Sequence, residues 1–173
     1  MENMIIGQSL GILAMIITFI SYQTNKKRTL LVIQTAATLC TCLSFFFLDA
    51  ATGFALNIVC IVRNVVFYFI DRKSKLYYPS VAVITLAMVG VGALSWQGPV
   101  SLLMIIALAV NTVFMSVGVP QILRKSILFT STLVIIYNIV VFSIGGIANE
   151  GISIVSSVIG IIRYRKDKSG KKQ

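Results

Sequence analysis

The chain alternates between long apolar runs and short polar connections. Seven runs have about 20 residues or nearly so, the length that crosses about 30 Å of hydrocarbon as an α-helix. Their approximate bounds are 4–22, 29–48, 52–70, 77–94, 100–119, 126–145 and 151–162. The last run is short, and it reaches Tyr164 if Arg163 extends its long side chain to the interface. The pattern predicts an all-α, polytopic membrane protein with seven transmembrane helices.

The basic residues between these runs predict the orientation of the chain. Fourteen of the fifteen Lys and Arg residues lie on the first, third and fifth connections and in the tail from Arg163 to Lys172. Connections rich in Lys and Arg remain in the cytoplasm. We therefore expect the amino terminus outside and the carboxy terminus inside. The first run follows Glu2 rather than a basic segment, so it is read as a retained helix and not as a cleaved signal peptide.

Composition supports a membrane protein and argues against two other classes. The chain is 57% hydrophobic and only 12% charged, far from the roughly 25% charged residues of a soluble domain. Its net charge of +10 is divided among short clusters, so we expect no nucleic-acid partner. The chain has no histidine, which removes the commonest general base and metal ligand. We expect no enzyme, no cofactor and no metal site, and Cys40, Cys42 and Cys60 are interpreted as packing residues.

The five carboxylates all lie at or beyond the ends of the apolar runs: Glu2, Asp49, Asp71, Glu150 and Asp167. This placement predicts no acidic group inside the membrane that could couple transport to protons or sodium. Facilitated diffusion is then the simplest mechanism for any transport activity.

An internal repeat is visible when the chain is compared with itself. A shift of 98 residues places Tyr22-Gln23 on Pro120-Gln121, and a shift of 96 places Asp71 on Asp167. Two three-helix units of the same orientation need one helix between them, which predicts a 3-1-3 order. The corresponding units are 1–72, a linker helix within 73–98, 99–165, and a basic tail at 166–173. Parallel repeats of this kind hold solutes near the membrane midplane between the halves.

The repeat, with Pro120-Gln121 at the cytoplasmic end of its first helix, resembles the PQ-loop superfamily, which includes the SWEET sugar transporters and the PnuC vitamin transporters. The resemblance implies that Gln23, Pro120 and Gln121 lie at hinges. Proline also lacks the N–H of a helical residue, so we expect the fifth helix to end or kink near Gly118. In SWEET proteins an asparagine on the third helix of each repeat faces the solute, which implies this role for Asn57, with Ser153 as its counterpart.

A second resemblance rests on a longer set of residues in the first half. Gln23, Lys27-Arg28, Leu48-Asp49-Ala50, Gly53, Asn57 and Arg63-Asn64 are similar to the YgjV family of bacterial inner membrane proteins. This resemblance implies a multi-pass protein of the bacterial cytoplasmic membrane.

Arg63 is the one charged residue well inside a predicted span, about 10 Å from its cytoplasmic end by helical rise. Charge at this depth costs about 2 to 3 kcal/mol on insertion scales, so the side chain should face the bundle interior or water. One interpretation is a structural role, in which Arg63 reaches headgroups or helix carbonyls. The other is bidentate binding of a carboxylate or phosphate of a solute.

Uncharged polar residues inside the spans complete the candidate site: Asn57, Asn64, Asn111 and Asn138. Asn57 and Asn64 are two helical turns apart and share one face of the third helix. Each alone is consistent with an interhelical hydrogen bond. Together they predict a polar cavity near the midplane.

These observations predict a SWEET-like transporter or facilitator of a small polar or anionic solute, working by rocking of the two repeats. The alternative is a membrane scaffold, receptor or assembly factor whose basic tail meets anionic lipid. The expected partners are membrane lipid, an unidentified small solute and further copies of the chain in a homo-oligomer.

Overall fold

The computed structural model describes residues 2–22, 27–117 and 120–170, and this part of the chain folds into seven α-helices without a strand. The helices are α1 Glu2–Tyr22, α2 Lys27–Phe47, α3 Ala51–Phe69, α4 Tyr77–Leu94, α5 Val100–Val117, α6 Pro120–Val140 and α7 Ile144–Gly170. Five of them, α1, α3, α4, α5 and α7, are long and apolar enough to cross a membrane. A helix satisfies its own backbone hydrogen bonds, as lipid requires. The predicted all-helical, multi-pass class is confirmed.

The sixth and seventh helices differ most from the predicted spans. α6 begins at Pro120 instead of residue 126, and α7 begins at Ile144 instead of residue 151. The missing N–H of proline costs no hydrogen bond in the first turn of a helix, so Pro120 suits the first described turn of α6. α7 begins early because Ser143 caps it, accepting a hydrogen bond from Gly146 N on Oγ at 3.2 Å. α7 also continues to Gly170, so the predicted tail at 166–173 is helical over its described residues.

Six helices form a ring, and α4 lies outside it. Within each half, α1 packs on α2 and α2 on α3, just as α5 packs on α6 and α6 on α7. The halves meet where α7 packs against α1 and where α3 touches α5. α4 packs against α3 and α5. The α1–α7 contact is close because it is made by glycines: a Cβ atom on Gly145 would lie 2.3 Å from the carbonyl carbon of Gly11.

The turn between α2 and α3 and the turn between α6 and α7 have the same backbone geometry. Asp49 and Phe142, 93 positions apart, both have a φ of 54°. The hydrogen bonds around them also match: Asp49 N to Phe46 O (3.3 Å) and Ala50 N to Phe45 O (2.9 Å) in one turn, Phe142 N to Ile139 O (3.2 Å) and Ser143 N to Asn138 O (2.9 Å) in the other. α2 and α6 each have 21 residues. Both turns lie at one end of the ring, which we call the turn end.

A glutamine side chain holds each of these turns. Gln97, just before α5, donates from Nε2 to Asp49 O at 2.8 Å and accepts on Oε1 from Thr52 N at 3.2 Å. Gln8 of α1 likewise donates from Nε2 to Phe142 O and accepts on Oε1 from Ile144 N at 2.9 Å. Gln8 therefore ties the α6–α7 turn to α1, and Gln97 ties the α2–α3 turn to the connection between α4 and α5.

Candidate functional site

The ring encloses a central cavity of about 810 Å³. Its described lining residues come from all six ring helices and the α6–α7 turn, and none belongs to α4. Many are polar, including Thr18, Gln34, Thr38, Thr41, Ser156 and Ser157. Large apolar side chains lie instead on the outer surface, such as Ile16, Leu39, Val62 and Ile136. Polar side chains are thus gathered in the interior, whereas apolar side chains cover the surface that lipid would contact.

Arg63 lies on the wall of this cavity and is only 7% exposed. Its Nε and Nη2 donate to Asn64 Oδ1 at 3.3 and 3.2 Å, and its Nη1 donates to Thr112 Oγ1 of α5 at 3.1 Å. These bonds use three of the five N–H donors of a guanidinium group. One donor remains on each terminal nitrogen, and such a pair can bind a carboxylate or phosphate in a bidentate manner.

Thr112 holds the guanidinium group from the second half of the chain. The residue is fully buried, and its hydroxyl donates to Leu108 O at 2.8 Å and lies 3.3 Å from Met88 Sδ. The contact with Arg63 joins α3 to α5 across one of the two places where the halves meet. Arg63 is thus fixed on both sides by buried partners, as a preorganised binding group needs to be.

The cavity brings together five of the six residues proposed as solute-binding from the sequence: Asn57, Arg63, Asn64, Asn111 and Asn138. Asn57 uses its Nδ2 to donate to Gly53 O within α3 at 2.7 Å. Ser153 is buried, but it is not among the described lining residues, and its Oγ donates to Asn149 O at 3.0 Å.

Of the three residues proposed as hinges, Gln23 lies outside the described residues. Pro120 and Gln121 form the start of α6, and only their backbone is described. The hinge role therefore stays a prediction from the resemblance.

Glu150 is the functional candidate that sequence reasoning missed. The sequence placed it outside the membrane, beyond the end of a run, whereas it lies inside α7 and lines the cavity. Its carboxyl group hydrogen-bonds with the Ser131 side chain and accepts from Asn149 Nδ2 at 3.5 Å. Glu150 follows the first residue of α7 by six positions, just as Asn57 follows the first residue of α3. Counted from the helix starts, Glu150 and Asn57 are at the same position, and the pairing of Asn57 with Ser153 stays a prediction from the resemblance.

Arg124 is a second arginine on the cavity wall that the sequence assigned to a cytoplasmic connection. It lies on α6, and its Nη1 donates to Gly160 O of α7 at 2.9 Å. A Cβ atom on Gly160 would lie 2.6 Å from the Arg124 guanidinium carbon, so glycine makes room for this contact. The described charged groups on the wall are two guanidinium groups and one carboxyl group, which gives the cavity a positive bias.

The sequence model of the Imp-YgjV family, described as bacterial inner membrane protein, matches residues 5–168. The chain belongs to the Imp-YgjV family. The predicted location in the bacterial inner membrane is thereby confirmed, because the family match agrees with the several apolar helices. No curated protein and no solved structure matches the chain.

In this Imp-YgjV protein aromatic side chains meet across the ring near the turn end. The rings of Phe45 on α2 and Tyr137 on α6 meet edge to face with centroids 5.9 Å apart, and both are almost fully buried. The Tyr137 hydroxyl accepts a hydrogen bond from Gly53 N at 2.9 Å. A Cβ atom on Gly53 would lie 2.9 Å from the Phe45 ring. The three residues form a contact across the ring from one half to the other.

Two lining residues carry buried acceptors without a partner. In the described part of the chain, Asn138 Oδ1 and Asn149 Oδ1 accept no hydrogen bond. Buried polar atoms are usually paired, so each such atom is a candidate ligand contact. The described residues of this Imp-YgjV protein contain no group of three or more His, Cys, Asp or Glu side chains placed to hold a metal ion.

Proposed function

We propose that the protein is a seven-span transporter or facilitator that moves a small polar, anionic solute across the bacterial inner membrane. The observation that carries the proposal is the pair of Arg63 donors without a partner among the described residues, on the wall of a cavity that six helices share. A guanidinium group held in place by Asn64 and Thr112 needs no rearrangement to bind an anion. The second arginine, Arg124, adds to the positive bias.

The mechanism is a rocking of helices 1–3 against helices 5–7, with α4 as the linker of a 3-1-3 arrangement. The matching turns around Asp49 and Phe142 support the two-repeat description. The absence of α4 from the described cavity wall supports its role as a linker. Parallel repeats of SWEET type place the solute between the halves, where Arg63 lies.

The orientation follows from the charge distribution, with the carboxy terminus and the basic connections in the cytoplasm. The turn end then faces the periplasm. In this proposal the Phe45–Tyr137 contact is the periplasmic barrier between the two halves. Lipid surrounds the ring, and association of copies into a homo-oligomer is consistent with a small transporter. No catalytic role is proposed.

Uptake into proteoliposomes tests the function. We expect saturable uptake of one class among sugars, nucleosides, vitamins, amino acids and small organic anions, with organic anions favoured. Arg63→Lys should lower that uptake at least tenfold, because lysine keeps the charge but lacks the planar guanidinium group with its two parallel N–H donors. Arg72→Lys, on the exposed α3–α4 connection, is the matched control and should leave uptake unchanged. Well-folded protein that transports no class would refute the proposal and favour the scaffold alternative.

A further inference from the structure

A cluster of oxygen acceptors lies where α6 and α7 line the cavity near the turn end. It comprises the Glu150 carboxyl group and the partnerless amide oxygens Asn138 Oδ1 and Asn149 Oδ1. Asn138 is only 1% exposed. Buried acceptors are usually paired, so three of them at one wall of the cavity favour binding of a hydrogen-bond donor or a positive charge.

The geometry of α7 places Asn149 and Glu150 on the turn next to the point that Asn138 approaches. Gly146 lets the Asn138 side chain approach the helix, since a Cβ atom there would lie 2.4 Å from Asn138 Oδ1. Asn149 and Glu150 follow Gly146 by three and four residues, so they lie about one helical turn, 5.4 Å, further along the same face. Asn149 Nδ2 lies 3.5 Å from Glu150 Oε1. The Ser131 hydroxyl adds another oxygen beside the carboxyl group.

The described contacts of the two arginines in the cavity wall are made to groups outside this cluster. Arg63 donates to Asn64 and Thr112, and Arg124 donates to Gly160 O, ten residues beyond Glu150 on α7. No described contact pairs Glu150 with a cationic side chain. The cluster therefore has oxygen ligands that suit a cation, and no described contact brings a cationic side chain to them.

The type of ligand indicates the type of cation. Carboxylate, amide and hydroxyl oxygens suit hard cations rather than transition metals, which prefer nitrogen and sulfur. A single carboxyl group balances one positive charge, whereas calcium sites usually contain several carboxylates. We infer that Glu150, Asn138 and Asn149 bind a monovalent cation, either an alkali metal ion such as Na⁺ or the ammonium group of a solute.

This cation site deepens the proposed function. Any coupling of the cation to the solute rests on the transport proposal. A cation at Glu150 would join the two helices α6 and α7 and would lie in the same cavity as an anion bound at Arg63. Binding of Na⁺ would then favour binding of the anion, which makes cotransport possible. Binding of an ammonium group would instead assign the solute as a zwitterion with both an acidic and an amino group.

Thermal unfolding of the full-length protein in detergent tests the site with simple salts. Tm is measured in NaCl, methylammonium chloride and choline chloride at equal ionic strength, because choline offers neither a small ion nor an N–H donor. At one hundred times the dissociation constant we expect Tm to rise by roughly 5 to 10 °C. A rise with NaCl assigns an alkali ion, and a rise with methylammonium alone assigns a solute ammonium group. An equal Tm in all three salts overturns the inference.

Substitutions locate the effect. Glu150→Gln keeps the shape of the side chain and should abolish the salt-specific rise. Glu2→Gln is the same change at an exposed residue of α1 and should retain it. If Glu150→Gln does not fold, Asn149→Leu, which removes one acceptor, should lower the apparent cation affinity at least tenfold. A full rise in either cavity variant overturns the assignment, whereas cation binding without uptake of any solute overturns only the transport proposal.

Discussion

The contact between Gly11 and Gly145 closes the ring between α1 and α7, and Gly145→Ala should disrupt it. The added Cβ atom would lie 2.3 Å from the Gly11 carbonyl carbon and 2.6 Å from Ile12 N. Both distances are to backbone atoms, which cannot turn aside like a side chain. The two helices would have to separate by about 1 Å to reach van der Waals contact. Such overpacking typically costs about 1 to 3 kcal/mol.

Thermal unfolding in detergent measures this cost. For a chain of this size, about 1 to 3 kcal/mol lowers Tm by roughly 2 to 12 °C. Gly11→Ala should have a smaller effect, because its Cβ atom would lie 3.2 Å from Gly145 Cα. Gly151→Ala is the matched control on α7, since nothing lies within 4 Å of its Cβ position. Alanine favours a helix more than glycine does, so this variant should be at least as stable as the wild type. The reasoning fails if Gly145→Ala and Gly151→Ala have the same Tm.

Three further predictions concern the turn end of the ring and the orientation of the chain in the membrane. Tyr137→Phe removes the acceptor for Gly53 N and should cost about 1 to 3 kcal/mol of stability, whereas Tyr78→Phe, which is 59% exposed, should leave Tm unchanged. Gln8→Ala and Gln97→Ala each remove two hydrogen bonds from a turn and should lower the stability by similar amounts, about 1 to 3 kcal/mol. Unequal losses of stability would contradict equivalent roles for the two glutamines. Alkaline phosphatase fused after Gln173 should be inactive and green fluorescent protein fused there should fluoresce, and an active phosphatase would place the carboxy terminus in the periplasm.

The first five spans could be predicted well because their apolar runs are bounded by clear polar connections. The predicted fourth span has the same bounds as α4, Tyr77–Leu94. The prediction of α6 and α7 was wrong by several residues. The predicted sixth span ends at residue 145 and the predicted seventh begins at residue 151, so Asn149-Glu150 falls on the connection between them. In the structure Gly145 and Gly146 allow close contact with α1 and with Asn138, and Asn149-Glu150 lines the cavity.

The candidate site could also be predicted from the sequence only in part. Arg63 and the asparagines stand out because they interrupt apolar runs, and the structure brings five of the six proposed residues to one cavity. Glu150 does not interrupt an apolar run. Its place inside α7 follows only once the helix is known to begin directly after Ser143. That start had a signal in the sequence: a serine three residues before a helical Gly146, as in an amino-terminal cap.

The central claim is that Arg63 binds an anionic group of a solute in the cavity. The most direct test is the thermal stability of purified protein against a panel of small organic anions, sugars, nucleosides, vitamins and amino acids. At one hundred times its dissociation constant, a ligand should stabilise the wild type by about 2.7 kcal/mol. The account predicts that an anionic solute gives this shift, that Arg63→Ala abolishes it and that Arg63→Lys weakens it. A ligand that stabilises all three proteins equally, or no ligand for well-folded wild type, would contradict it.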